Sequence, residues 1–447
     1  MLVDLVLSNA KIYTQKGIIR GGIAIDEGRI FKIAKEAHLP PASRTLGLKG
    51  LLALPGLIDP HVHLRDQQLS YKEDFSSGTA AAAAGGVTSV IDMPNNRPVT
   101  MSTESLRNRM QIASRSIVTN VAFISAFPQS LSEIYSIVQL GAVAFKLFLS
   151  ERIGGLDIED DQGLLQAFHK VSDTRVPIAV HAEDRESLRK AEREVEKRNQ
   201  SGLQAYLKVH SSQAERRAIH RILNLIKNCD VCVHFCHLSS AEGLKVLEDA
   251  KEQGLPVTCE VTPHHLFLTS QHLRQLGTMA LTNPPLRKER DVQALWRGLT
   301  QGLIDVVSTD HAPHSRVEKR AAGVWGVEPG IPGLETLLPL LLTVVNKGQL
   351  SISRLVQVTS ERPAEIFNLK GRGGLVEGNQ ADIAIIDVNR EYKIDVSEFH
   401  SQAEYSPFEG WRVKGKPVKT FVNGELAMDE GRIVAEPGTG HVIGWQG

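Results

Sequence analysis

Between about Leu51 and Lys370, short apolar runs rich in β-branched and aromatic residues alternate with longer stretches whose apolar positions recur at helical spacing. Eight runs have strand character: LLALPGLIDPHVH, VTSVIDMP, NVAFISAF, AVAFKLFLS, PIAVHAE, VCVHFCHLS, PVTCEVTP and IDVVSTDH. Between them lie helix candidates such as FSSGTAAAAAGG, whose Gly pair is a stop signal, SLSEIYSIVQLG, DQGLLQAFHKVS, AERRAIHRILNLIKN, AEGLKVLEDAKEQG and DVQALWRGLTQG. Eight βα repeats predict an α/β fold in which a parallel sheet closes into a (β/α)8 barrel of the TIM type, over residues 54–370.

The flanks change period. Residues 1–53 and 371–447 read as short alternating strands with NG and EG turns, and DEGRIFKIA near one end matches DEGRIVAEP near the other. This predicts one small β-sandwich domain assembled from both ends of the chain. The densely charged ESLRKAEREVEKRN alternates in sign, so it reads as a solvated helix face and not as a nucleic-acid surface.

Composition narrows the functional classes. The chain has 447 residues, 51 Lys+Arg against 51 Asp+Glu, and 42% hydrophobic content, enough for a large core and without a net field to attract nucleic acid or an anionic membrane. No apolar run approaches the roughly 20 residues of a membrane span, and Asp4 interrupts the apolar N-terminus, so a cytoplasmic protein acting on a small molecule is expected. Cys229, Cys232 and Cys236 have a spacing that zinc sites use, but the flanking residues are those of buried strands, where free Cys behaves as a small hydrophobe.

In such a barrel the chemistry comes from the C-terminal ends of the strands. His61 and His63 end the first strand, Asn95 the second and His181 the fifth; His237 ends the sixth, Asp310 with His311 and His314 the eighth, and Lys146 lies in the fourth. One histidine at a strand end is weak evidence, but four imidazoles and an aspartate converging on one mouth make an N/O site suited to Zn2+, Mn2+, Co2+ or Fe2+. His61 and His63, two apart on a strand, point the same way. Lys146 sits in an apolar strand, where an ammonium carries a large desolvation cost. It either snorkels outward or pairs with an acid or, as a neutral amine, captures CO2 to give a carbamate that bridges two metal ions.

GLIDPHVHLRD, the lysine of AFKLF, VHAED, CHLSS and STDHAPH together resemble the cyclic amidohydrolases of the amidohydrolase superfamily over nearly the whole chain. HVHLR, DMPN, TPHHL, NPPLR and TDHAPH look like the long-chain dihydroorotases within that group. The resemblance implies that His61, His63 and Asp310 hold one divalent ion and His181 and His237 the other, with carboxylated Lys146 as bridge and zinc as the metal. It implies that Arg65, Asn95 and His314 grip a substrate carboxylate, and that Asn283 and the backbone of Pro329 and Gly330 contact the ring. Many bacterial long-chain members carry aspartate where this chain has Lys146, which puts dependence on CO2 in question and leaves a bridging anion in either case. The implied reaction interconverts N-carbamoyl-L-aspartate with L-dihydroorotate and water in pyrimidine synthesis, with Asp310 relaying the proton. A hydantoinase, dihydropyrimidinase or allantoinase, or a scaffold homologue without catalysis, are the rival readings. A homodimer or homotetramer, and association with aspartate transcarbamoylase, are the assemblies raised.

Side-chain chemistry bears on the choice among relatives. Arg65, two residues beyond His63, offers a rigid fork matched to a carboxylate, which dihydroorotate has and allantoin and simple hydantoin lack. A surface ion pair with Asp66 or Glu73 is its structural alternative, and Asn95 could equally serve the turn in MPNNRP. His264 and His265 are expected to be a satisfied core pair, and His234 to face away from the site. The segment HSRVEKRAAGVWGVEPGIPG is either a lid over the pocket or a plain connection to the next helix.

Overall fold

A computed structural model describes residues 1–444, so residues 445–447 of the expected terminal domain lie outside the described residues. Each of the eight strand candidates yields one barrel strand, in chain order: β1 (Leu57–Val62), β2 (Val87–Asp92), β3 (Asn120–Ala126), β4 (Ala144–Phe148), β5 (Ile178–His181), β6 (Val233–Phe235), β7 (Val257–Val261) and β8 (Val306–Val307). Neighbours pair in parallel and in sequence order. β1 and the end of β8 meet through a bridge between Val62 and His311, where His63 N–H donates to the His311 carbonyl at 2.8 Å. Outer helices such as Ser212–Ile226 bury an apolar stripe, here Ala218, Ile219, Ile222 and Leu223. The charge-dense helix Arg185–Lys197 buries only Leu188 and Val195, as a solvated helix should.

One apolar run hides a boundary. LLALPGLIDPHVH is not a single strand: Leu52–Pro55 belongs to the terminal sheet, antiparallel to Ile383–Ile386, and the barrel begins at Leu57. The break falls at Gly56, whose N–H donates to the Asp382 carbonyl at 2.9 Å. A Cβ at Gly56 would lie 2.2 Å from the Thr88 side chain, so only glycine passes there. Both strands are buried throughout, and for that reason hydropathy shows no seam.

Among the described residues the terminal sheet has nine strands. Val3–Thr14, Gly17–Asp26, Arg29–Ala34, Ala42–Gly47 and Leu52–Pro55 come from the N-terminal side, and Ile383–Lys393, Arg412–Val422, Glu425–Asp429 and Arg432–Ile433 from the C-terminal side. They hydrogen-bond as one mixed sheet around a core that includes Leu7, Ile12, Ile23, Ile25, Ile383 and Phe421. The Glu27–Gly28 turn is pressed against the Asn423–Gly424 turn: Gly28 has φ +73°, and a Cβ there would sit 2.7 Å from the Asn423 carbonyl oxygen. Between two of these strands the chain returns to the barrel mouth, where Tyr405 Oη donates to the Gly330 carbonyl at 3.0 Å and Ser401 Oγ to Glu73 at 2.5 Å. Among the described residues no helix is long and apolar enough to cross a membrane.

Candidate active site

The strand ends bring the expected ligands into one buried cluster. His61 Nε2 and His63 Nε2 lie 3.2 and 3.1 Å from the same oxygen of Asp310, and His181 Nδ1 lies 3.0 Å from His237 Nε2. The His61 ring is 5.4 Å from that of His63 and 5.3 Å from that of His237, so the two pairs adjoin. Ligand atoms of His61, His63 and Asp310 all fall within 4.8 Å of one another. Burial pushes the His63 and His237 imidazoles well below their usual pKa and lowers that of His61, leaving the neutral rings that metals bind. Burial also raises the Asp310 carboxyl, against the pull of His61 and Lys146. Nitrogen and oxygen donors in this form and at these distances fit divalent ions.

Lys146 points inward from β4 and is 1% exposed. Its Nζ lies 2.9 Å from Cys236 Sγ and 5.1 Å from the centre of the Phe148 ring, and among the described residues no carboxylate pairs with it. The snorkelling alternative is thereby removed. Burial drives the Cys236 thiol up to about 12, so the neighbour of Lys146 is a neutral S–H.

Carboxylates hold the ligand rings from behind. Glu260, on β7, bonds His61 Nδ1 with one oxygen and His234 Nε2, at 3.1 Å, with the other, and the first oxygen also accepts the His237 backbone N–H at 3.0 Å. Glu183 accepts from His181 Nε2 and His210 Nδ1, each at 3.0 Å. These contacts leave Nε2 of His61 and Nδ1 of His181 free to face the centre of the cluster. Asn95 Oδ1 lies 2.7 Å from His63 Nδ1 and fixes that ring in the same way.

Beside this cluster, Arg65 and His314 adjoin. Arg65 Nη2 is 3.1 Å from His314 Nε2, and that nitrogen is 3.1 Å from the Pro329 carbonyl oxygen. Arg65 is 7% exposed and donates through Nε to the Pro313 carbonyl at 3.3 Å, so it is not a surface partner of Asp66 or Glu73. Gly330, with φ +146°, passes so near that a Cβ would lie 3.0 Å from His314 Nε2. Asn283 is half-buried, and its Oδ1 has no partner among the described residues. Burial pushes His314 well below its usual pKa, with the charges of Arg65 and Lys72 adding to the effect.

Residues 52–427 match the model of the amidohydrolase family. The chain belongs to the amidohydrolase family. It is similar to the dihydroorotase of Methanothermobacter thermautotrophicus, 38% identical over 97% of this chain and 96% of that one. It is also similar to the L-hydantoinase of Paenarthrobacter aurescens, 32% identical over 99% and 98%. Among solved structures, the L-hydantoinase (dihydropyrimidinase) from Arthrobacter aurescens superposes with a TM-score of 0.95 at 31% identity, covering 99% of this chain and 100% of that one.

Some features of this amidohydrolase escape the strand-end argument. His234 does not face away: in the parallel register it lies beside Ala179, which lies beside Lys146, and all three share the inner face. His237 is the residue that breaks parity, and a backbone φ of +34° just past the end of β6 turns its ring back into the mouth. His265 is satisfied by Thr262 and the Pro284 carbonyl, but His264 Nε2 has no partner among the described residues, so the two are not a satisfied pair. His311 serves structure, bonded to Glu73 and accepting the Gly333 N–H. Glu260 and Glu183 were detectable, since an acid in the apolar run PVTCEVTP raises the same question as Lys146, and Glu183 stands two residues past His181.

Proposed function

We propose that this amidohydrolase is a dihydroorotase of the cytoplasm, interconverting N-carbamoyl-L-aspartate and L-dihydroorotate in pyrimidine synthesis. The observation that carries the reading is the adjacent pair Arg65 and His314: a buried guanidinium and a buried imidazole at the rim of the ligand cluster, suited to a substrate carboxylate. The 38% identity to a dihydroorotase supports it, and the free thiols of all four cysteines suit a reducing compartment. Residues 54–370 carry the chemistry in this reading, and 1–53 with 371–447 support it.

His61, His63 and Asp310 would hold one Zn2+ and His181 and His237 a second. Lys146 would bridge them after its amine adds to CO2, forming a carbamate N–C bond and releasing one proton. Bound ions would supply an acidified water near neutral pH and polarise the ring carbonyl. Arg65, the Asn95 amide and His314 orient the substrate carboxylate, a positioning effect worth several kcal/mol. Asn283 and the Pro329–Gly330 backbone border the ring. Asp310 takes the proton of the attacking water and delivers it to the departing amide nitrogen, base and then acid.

Purified protein assayed against carbamoyl aspartate, dihydroorotate, hydantoin, dihydrouracil and allantoin, with metal analysis, tests the reading; a preference for a substrate without a carboxylate would overturn it. The second reading, a hydantoinase, is favoured by the TM-score of 0.95 to an L-hydantoinase, and the same panel separates the two. Mass measurement, alone and with aspartate transcarbamoylase, tests a homodimer or homotetramer and that association.

A further inference from the structure

Lys72 lies in the loop after β1, seven residues past Arg65, and is 6% exposed. Its Nζ contacts Nδ1 of His314 at 3.2 Å and pairs with Glu318 at 2.8 Å, while Tyr71 Oη donates to the same Glu318 oxygen at 3.0 Å. Glu318 is itself fixed by Ser315, whose N–H and Oγ both donate to it at 2.9 Å. A buried cation is thus clamped against the far side of the ring whose near side faces Arg65.

A neutral imidazole has one N–H and one acceptor nitrogen, whereas an ammonium and a guanidinium can only donate. His314 cannot therefore accept from Lys72 and from Arg65 together. With the proton on Nε2, Lys72 donates to Nδ1 and Nε2–H donates to the Pro329 carbonyl, so two contacts are satisfied. With the proton on Nδ1, only the Arg65 contact is satisfied, and Nδ1–H is set against the ammonium. The first tautomer wins by two bonds to one. It also sets an Arg65 N–H and the His314 N–H side by side, two donors 3.1 Å apart, the histidine one resting on the Pro329 carbonyl, for which an incoming carboxylate competes.

We propose that Lys72 is a positioning residue of the carboxylate subsite, which holds His314 as the Nε2–H tautomer so that ring and guanidinium both donate to the substrate carboxylate. The inference rests on the dihydroorotase reading for the identity of the anion, but the tautomer does not depend on it. Without Lys72 the ring is free to take the other tautomer, accept from Arg65 and present a lone pair to the incoming anion.

Two measurements test this on the zinc-loaded enzyme. Long-range 1H–15N spectra of histidine-labelled protein, with His314 assigned through His314→Gln, should show Nε2–H in the wild type and a shift toward Nδ1–H in Lys72→Met. A wild-type Nδ1–H tautomer overturns the proposal, whether or not the variant folds. In steady state Lys72→Met should raise KM for dihydroorotate about tenfold or more with kcat changed by less than about threefold, and Lys72→Arg, which still donates, should recover most of the loss. A fall in kcat and melting temperature together, without a KM effect, would make Lys72 merely structural and overturn the proposal. Wild-type enzyme that ignores dihydroorotate yet hydrolyses dihydrouracil would overturn the substrate reading alone, and the spectrum would still decide the tautomer.

Discussion

The core of the terminal sheet and the mouth of the barrel are both buried, and they are built from opposite materials. Around Phe421 the sheet packs Leu7, Ile12, Ile23, Ile25 and Ile383. At the mouth, burial falls on His61, His63, Lys146, His181, Glu183, His237 and Glu260. Apolar burial stabilises by about 25 cal/mol for each Å2 removed from water, whereas buried ionisable groups cost free energy unless each finds a partner. The sheet is therefore where the chain gains stability, and the mouth is where it gives some up for a constellation that only ligands complete.

The largest expected effect breaks the mouth alone. Lys146→Ala should lower turnover by on the order of a thousandfold or more and reduce bound metal, with the fold retained by circular dichroism. Short carboxylic acids should restore part of the activity, and unchanged turnover would remove the bridge from the mechanism. The converse experiment is Phe421→Ala, which empties a fully buried site in the sheet. It should cost about 3–5 kcal/mol in denaturant unfolding, while kcat per folded molecule stays near wild type. Loss of turnover at full folding would show that the two regions are coupled.

Glu260→Gln is a finer probe, because it keeps the shape and removes the charge behind His61 and His234. Metal affinity, read by chelator competition, should fall about 10- to 100-fold with little change in melting temperature. A pH-dependent effect concerns Glu335, which joins the barrel helix Leu334–Asn346 to the returning segment by accepting the N–H groups of His400 and Ser401. Burial pushes its carboxyl up to about 8. Because the folded pKa exceeds the unfolded one near 4.5, the unfolded state binds fewer protons between those values and stability declines as pH rises from about 4.5 to 8. Glu335→Gln should flatten that decline in melting temperature, and an unaltered slope would assign it to other groups.

Much of this was legible along the chain, for local reasons. Strand and helix periods are properties of neighbouring residues, so all eight barrel strands could be counted, and the i, i+2 pair His61 and His63 could be assigned to one face. The seam at Gly56 was not legible, because strands buried on both faces read as one apolar run on either side of it. The inward turn of His237 was hidden for a different reason: strand parity holds only while the backbone is extended, and here φ reaches +34°.

The sequence by itself determined which groups could do chemistry and at which strand ends they stand, since residue type and local period suffice for that. Only the tertiary structure decided how they are held. Glu260 meets His61 from 199 positions away, and Lys72 meets His314 from 242 positions away. Such pairs arise when barrel closure brings distant strand ends to one mouth, and no local pattern encodes which carboxylate or ammonium will then fix the tautomer of which ring.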